Sequence, residues 1–95
     1  MQLVLYSKPG CHLCEGLHAK LDQVSDPAFN LVVRDITTDP TWFQRYQYEI
    51  PVLCWLVEQG NGVIAEVPIP RLSPRASATQ VARMLQKSRP QPTAE

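Results

Sequence analysis

At 95 residues, with nine basic and nine acidic side chains cancelling, the chain is one domain near the size at which a single core becomes self-sufficient. A formal net charge of zero supplies no general pull toward nucleic acid or an anionic membrane, and neither is expected as a partner. The longest apolar run, residues 52–57, is far too short to span a bilayer. No basic segment followed by an apolar one opens the chain, so a cytoplasmic location is expected. Three cysteines, two of them in a C-x-x-C, do not make a secreted disulfide framework.

Residues 2–6 (QLVLY) are β-rich and apolar on both faces, as a central strand is. Lys8-Pro9-Gly10 turns the chain toward Cys11, and a helix is predicted over 12–24. Leu13, Leu17, Leu21 and Val24, spaced by four, four and three, predict one buried stripe. Pro27 pushes Asp26 out of the α region and ends the segment. Residues 30–36 read as a second strand, parallel to the first through a right-handed crossover. Asp39 as N-cap and Pro40 at the first helical position start a short helix, with Trp42, Phe43 and Tyr46 as its apolar face. Residues 51–57 form a third strand. Gly60-Asn61-Gly62 offers positive-φ residues for a hairpin turn, and residues 63–67 return antiparallel. Ser77 and Gln80 make a capping box for a last helix that buries Val81, Met84 and Leu85. Residues 1–87 then form a single α/β domain, β-α-β-α-β-β-α, with a four-stranded mixed sheet between helices. Residues 88–95 are expected to be a disordered tail.

The chemistry lies in Cys11 and Cys14. A strand delivers Cys11 to a helix start, where unpaired N–H groups and the macrodipole favour an anion, here a thiolate. A C-x-x-C beside a β-α-β pattern reads as a thiol-disulfide redox motif. A zinc site would need further ligands at matching spacing, which Cys54, His12 and His18 do not offer. Cys54, in mid-strand, reads as a small hydrophobe, Trp42 and Trp55 as core, and Arg34-Asp35 as a surface ion pair.

The element order, the C-x-x-C and a proline heading the third strand together resemble the thioredoxin fold. The closer resemblance is to glutaredoxins: YSKPGCHLC is similar to their Tyr-x-Lys-x-x-Cys-x-x-Cys opening. It spans residues 1–87 and implies a small thiol-disulfide oxidoreductase that reduces protein or mixed disulfides. Cys11 would be the exposed nucleophile and Cys14, one turn on, the resolving thiol. Lys8 would stabilise the Cys11 thiolate and a thiol ligand's carboxylate, and a protonated His12 would favour the thiolate further. Ile50 and a cis Pro51 would hold substrate by backbone pairing.

The resemblance also implies a monomer whose partners are a disulfide-containing protein or a low-molecular-weight thiol, with a reductase as electron donor. It breaks after the fourth strand. Glutaredoxins place a Gly-Gly pair and an acidic residue there to hold glutathione, and this chain has VPIPRLSPR, with Arg71 and Arg75. No tightly bound cofactor is expected, with glutathione at most a weakly bound reductant. The alternative is a non-catalytic thioredoxin-fold binding module or a glutathione-dependent iron-sulfur carrier.

Overall fold

The computed structural model describes residues 1–90. Strand β1 (Gln2–Ser7) leads to helix α1 (His12–Leu21), then β2 (Asn30–Asp35), a 3-10 turn (Ile36–Thr38) and α2 (Pro40–Tyr46). Strands β3 (Val52–Glu58) and β4 (Ile64–Pro68) form a hairpin, and α3 (Ala78–Ser88) closes the domain. The sheet order is β2-β1-β3-β4, with β1 parallel to β2 and antiparallel to β3, and β3 antiparallel to β4.

The period-two alternation of the central strands sorts side chains to two faces. Leu3, Leu5, Leu53 and Trp55 point to one face, where they join Leu21, Ile69, Ala76, Val81 and Leu85 beneath α1 and α3. Val4, Tyr6 and Cys54 point to the other, with Ile36, against Trp42 and Tyr46 of α2. Central strand β1 buries four successive residues, whereas edge strand β4 alternates exposed and half-buried ones. Pro68 is tolerated at that edge, where no further strand needs its missing N–H.

Several local expectations change. Helix α1 ends at Leu21, and Val24 packs on the core from the following turn. Leu13 is 51% exposed, while Cys14 and Leu21 are buried and Leu17 is half-buried. Within that first turn Cys14 takes the core-facing position, and Leu13 lines a surface groove instead. Phe43 is exposed for a related reason: α2 is only seven residues long and turns Trp42 and Tyr46, not Phe43, onto the sheet.

In the hairpin, Gly62 alone of the turn's two glycines has positive φ, at 84°. The turn closes through Gly62 N–H to the Gln59 carbonyl at 3.0 Å, and β4 begins at Ile64. Ser77 and Gln80 form the expected reciprocal capping box. Helix α3 runs to Ser88, one residue into the expected tail, and residues 91–95 of that tail lie outside the described residues. Among the described residues, no helix is long and apolar enough to cross a membrane.

Candidate functional site

Beyond the carboxyl end of β1 the chain turns on Gly10, whose φ of 81° suits a residue without a Cβ. Cys11 follows in extended conformation as the N-cap of α1. Its N–H donates to the Lys8 carbonyl at 3.3 Å, and its Sγ accepts from the Cys14 N–H at 3.2 Å. A sulfur at the N-cap thus takes the role a serine or aspartate oxygen usually plays, and the same N–H would stabilise a thiolate. Cys11 and Cys14 are joined by a disulfide, their Cα atoms 5.3 Å apart. Cys11 is half-buried and Cys14 is 1% exposed, so an incoming group reaches the first sulfur and not the second.

A groove of about 400 Å³ opens beside the disulfide. Leu13, Leu17 and Lys20 of α1 line one wall, Pro51 its head, and the loop 69–74 the other wall. Two side chains fix that loop: Lys20 Nζ donates to the Pro74 carbonyl at 2.8 Å, and Arg71 to the Glu49 carbonyl at 2.9 Å.

The structure divides the sequence-predicted residues. His12 and Pro51 line the groove, and the Ile50-Pro51 bond is cis. His12 Nδ1 stands 3.5 Å from Glu15 Oε1, with the His12 side chain almost wholly exposed. Ile50 turns its side chain into the second core cluster, and its N–H donates to the Tyr46 carbonyl at 3.1 Å. Its carbonyl accepts no hydrogen bond among the described residues. Backbone pairing there can therefore offer an acceptor but not the donor that an added strand would also want. Lys8 lies outside the groove, exposed, with no side-chain hydrogen bond or ion pair among the described residues. Arg71 and Arg75 do not face one pocket: Arg71 lines the groove, while Arg75 belongs to a separate concavity against α3.

On the opposite face of the sheet, sequence reasoning missed a polar cluster. The buried Tyr6 hydroxyl donates to Glu66 Oε1 at 2.6 Å and accepts from Arg34 Nη1 at 2.8 Å. Arg34 also reaches Glu66 Oε2 at 3.3 Å, so its partner is across the sheet and not the neighbouring Asp35. Asp35 instead caps the 3-10 turn through the Thr37 N–H. Tyr6 stacks on Tyr46, ring centroids 4.3 Å apart. The register that sets Tyr6 beside Arg34 was the available signal. Burial and the adjoining Glu66 raise the Tyr6 hydroxyl well above the ordinary phenol range. Cys54 lies in the same cluster, and burial, aided by the charge of Glu66, pushes its thiol up to about 11. Among the described residues no three His, Cys, Asp or Glu side chains converge as a metal site would require.

A half-exposed and a buried cysteine at a helix start, together with a cis proline ahead of the third strand and a β2-β1-β3-β4 sheet, define a thioredoxin-fold protein of the glutaredoxin-like kind. The chain belongs to the glutaredoxin-like domain family (DUF836), whose model matches residues 2–86. The structure is similar to that of the structural-genomics target protein XcR50 from X. campestris. That protein shares 25% identity at a TM-score of 0.56, over 90% of this chain and 96% of the other. It is similar too to thioredoxin 1 from Thermosipho africanus TCF52B, at 17% identity and a TM-score of 0.59 over 92% of each chain, a likeness of fold. No functionally curated protein matches the chain in sequence.

Proposed function

We propose that the protein is a small thiol-disulfide oxidoreductase that reduces protein or mixed disulfides through Cys11 and Cys14. The observation that carries this reading is the asymmetry of the pair: Cys11 is the half-buried N-cap whose sulfur accepts the Cys14 N–H, and Cys14 is buried behind it. In the reduced protein the Cys11 thiolate attacks one sulfur of a substrate disulfide, forming a mixed disulfide and releasing the other sulfur as a thiolate. Cys14, losing its proton, then attacks the Cys11 sulfur and expels the second substrate thiolate, which closes the Cys11–Cys14 bond. Two electrons leave the dithiol, and the substrate becomes two thiols once both thiolates are protonated. A thiol donor or a reductase returns the electrons.

His12 and Pro51 border the approach, with the Ile50 carbonyl as a backbone acceptor and Lys8 as a nearby cation. Glutathione is a weak ligand in this reading. The loop 69–75 offers its α-amino group no carboxylate, and titration of oxidised and reduced protein followed by NMR should show shallow, non-saturating shifts.

Single-serine variants test the mechanism. Cys11→Ser should abolish disulfide reduction, and Cys14→Ser should accumulate a mixed disulfide visible by mass spectrometry. A trapped adduct in Cys11→Ser and none in Cys14→Ser would reverse the roles, and undiminished turnover in both would remove the dithiol from the chemistry.

A further inference from the structure

Charge cancels over the chain but is not mixed along it. Residues 1–66 hold eight of the nine carboxylates, whereas residues 67–90 hold five cations and no carboxylate. The fold gathers three of those cations. Arg75 from the loop, and Arg83 and Lys87 from successive turns of α3, line a shallow concavity of about 480 Å³. All three are exposed, and none makes an ion pair among the described residues. Arg83 and Lys87 are four residues apart on one helix face, a spacing at which like charges repel.

The three cations surround apolar surface contributed by Leu72 and Met84. Leu72 and Ser73 belong to both this concavity and the groove beside the disulfide, so the two are continuous over the loop 69–75. Lys20 and Arg71 extend the basic lining to the groove itself, where Glu49 is the one residue of opposite charge.

We infer that Arg75, Arg83 and Lys87 form a docking surface for an acidic protein. Resting on the oxidoreductase reading above, the inference makes the preferred substrates protein disulfides flanked by carboxylates. Carboxylates would settle among the three cations while the adjoining disulfide lies at Cys11. Charge complementarity favours this occupant. Arginine and methionine, which both line this patch, are enriched at protein interfaces. Nucleic-acid binding usually adds aromatic platforms for bases, and no phenylalanine, tyrosine or tryptophan lines this concavity or the groove. Docking of opposite charges speeds encounter more than it holds the complex, so the effect should be largest at low salt.

The test uses the whole oxidised chain and two short synthetic peptides free of cysteine, one rich in glutamate and leucine, the other with lysine in place of each glutamate. NMR titration should show saturable shifts at Arg75, Arg83 and Lys87 with the acidic peptide and none with the basic one. Arg75→Glu/Arg83→Glu/Lys87→Glu should weaken binding at least about tenfold, as should salt that shortens the Debye length to a few ångströms. The same peptides, each joined to a cysteine disulfide, are then offered to the reduced protein. The acidic one should be reduced about tenfold faster, an advantage the triple variant loses, while neutral hydroxyethyl disulfide is turned over equally by both proteins.

Equal binding of both peptides, or shifts confined to other residues, would overturn the docking surface. So would a short single-stranded DNA binding at these residues where the acidic peptide does not. If neither protein reduces any disulfide, the oxidoreductase reading fails, and the titration still decides the surface.

Discussion

Cys11 stands beyond the end of β1, half-buried, as the N-cap of a helix, whereas Cys54 lies inside β3, 2% exposed, in one cluster with Tyr6 and with Trp42 and Tyr46 of α2. The side chain is the same and the surroundings are opposite. One sulfur receives a backbone N–H, and the two residues that follow it, His12 and Leu13, line a groove. The other meets apolar and aromatic side chains and the charge of Glu66, which hold it protonated up to about 11. The difference teaches that position along a strand, not the residue type, decides whether a thiol here is chemistry or packing.

Alkylation rates of the reduced protein should give the widest contrast. Cys11 should react at least about a hundredfold faster than Cys54 at neutral pH, and labelling of Cys54 should wait for unfolding. Comparable rates, read by mass spectrometry after brief exposure to iodoacetamide, would erase the distinction.

Stability against pH should show a smaller effect. The folded state keeps Cys54 protonated to about 11, while an ordinary thiol, as in the unfolded chain, loses its proton at 9.0. The stability contributed by that neutral thiol is therefore complete below pH 9.0, declines as pH rises, and is gone above about 11. The loss amounts to roughly 2–3 kcal/mol, at about 1.4 kcal/mol for each unit of displacement. Tyr6 and Tyr46, both raised by burial, add losses of the same sign. Denaturant melts of the oxidised protein and of Cys54→Ala isolate the cysteine, because the stability gap between them should shift across this window. A gap independent of pH would mean that water reaches the sulfur.

The smallest effect sharpens the buried side of the contrast. Tyr6→Phe deletes the hydroxyl between Arg34 and Glu66, but those two remain 3.3 Å apart and partly solvated. A loss of about 1 kcal/mol in urea unfolding is expected, with reduction rates at Cys11 unchanged.

Much of this is legible in the amino-acid sequence. The alternation in QLVLY and VLCWLV separates the two sheet faces, and the corner before Cys11 places the nucleophile. Both signals are local. What the sequence concealed depends on which side of a helix meets the core and which meets the groove. Leu13 shares its spacing with Leu17 and Leu21, yet Leu13 and Leu17 line the groove and only Leu21 is fully buried in the core. Sequence proximity suggests Asp35 as the partner of Arg34, although alternation sends adjacent strand residues to opposite faces, and its true partner stands three strands over on β4. The wall at 69–74 was legible as a departure from the glutaredoxin pattern. Its contacts with Lys20 and Glu49 were not, since they join residues 54 and 22 positions apart.

That wall is pinned from both sides, by Lys20 at Pro74 and by Arg71 at Glu49, and Pro70 and Pro74 within it and Pro68 just before it have fixed φ. A segment held in this way has already lost its conformational freedom when the domain folds. A docking partner then meets a rigid mould, and the entropy usually surrendered when a surface loop orders itself around a ligand does not oppose association.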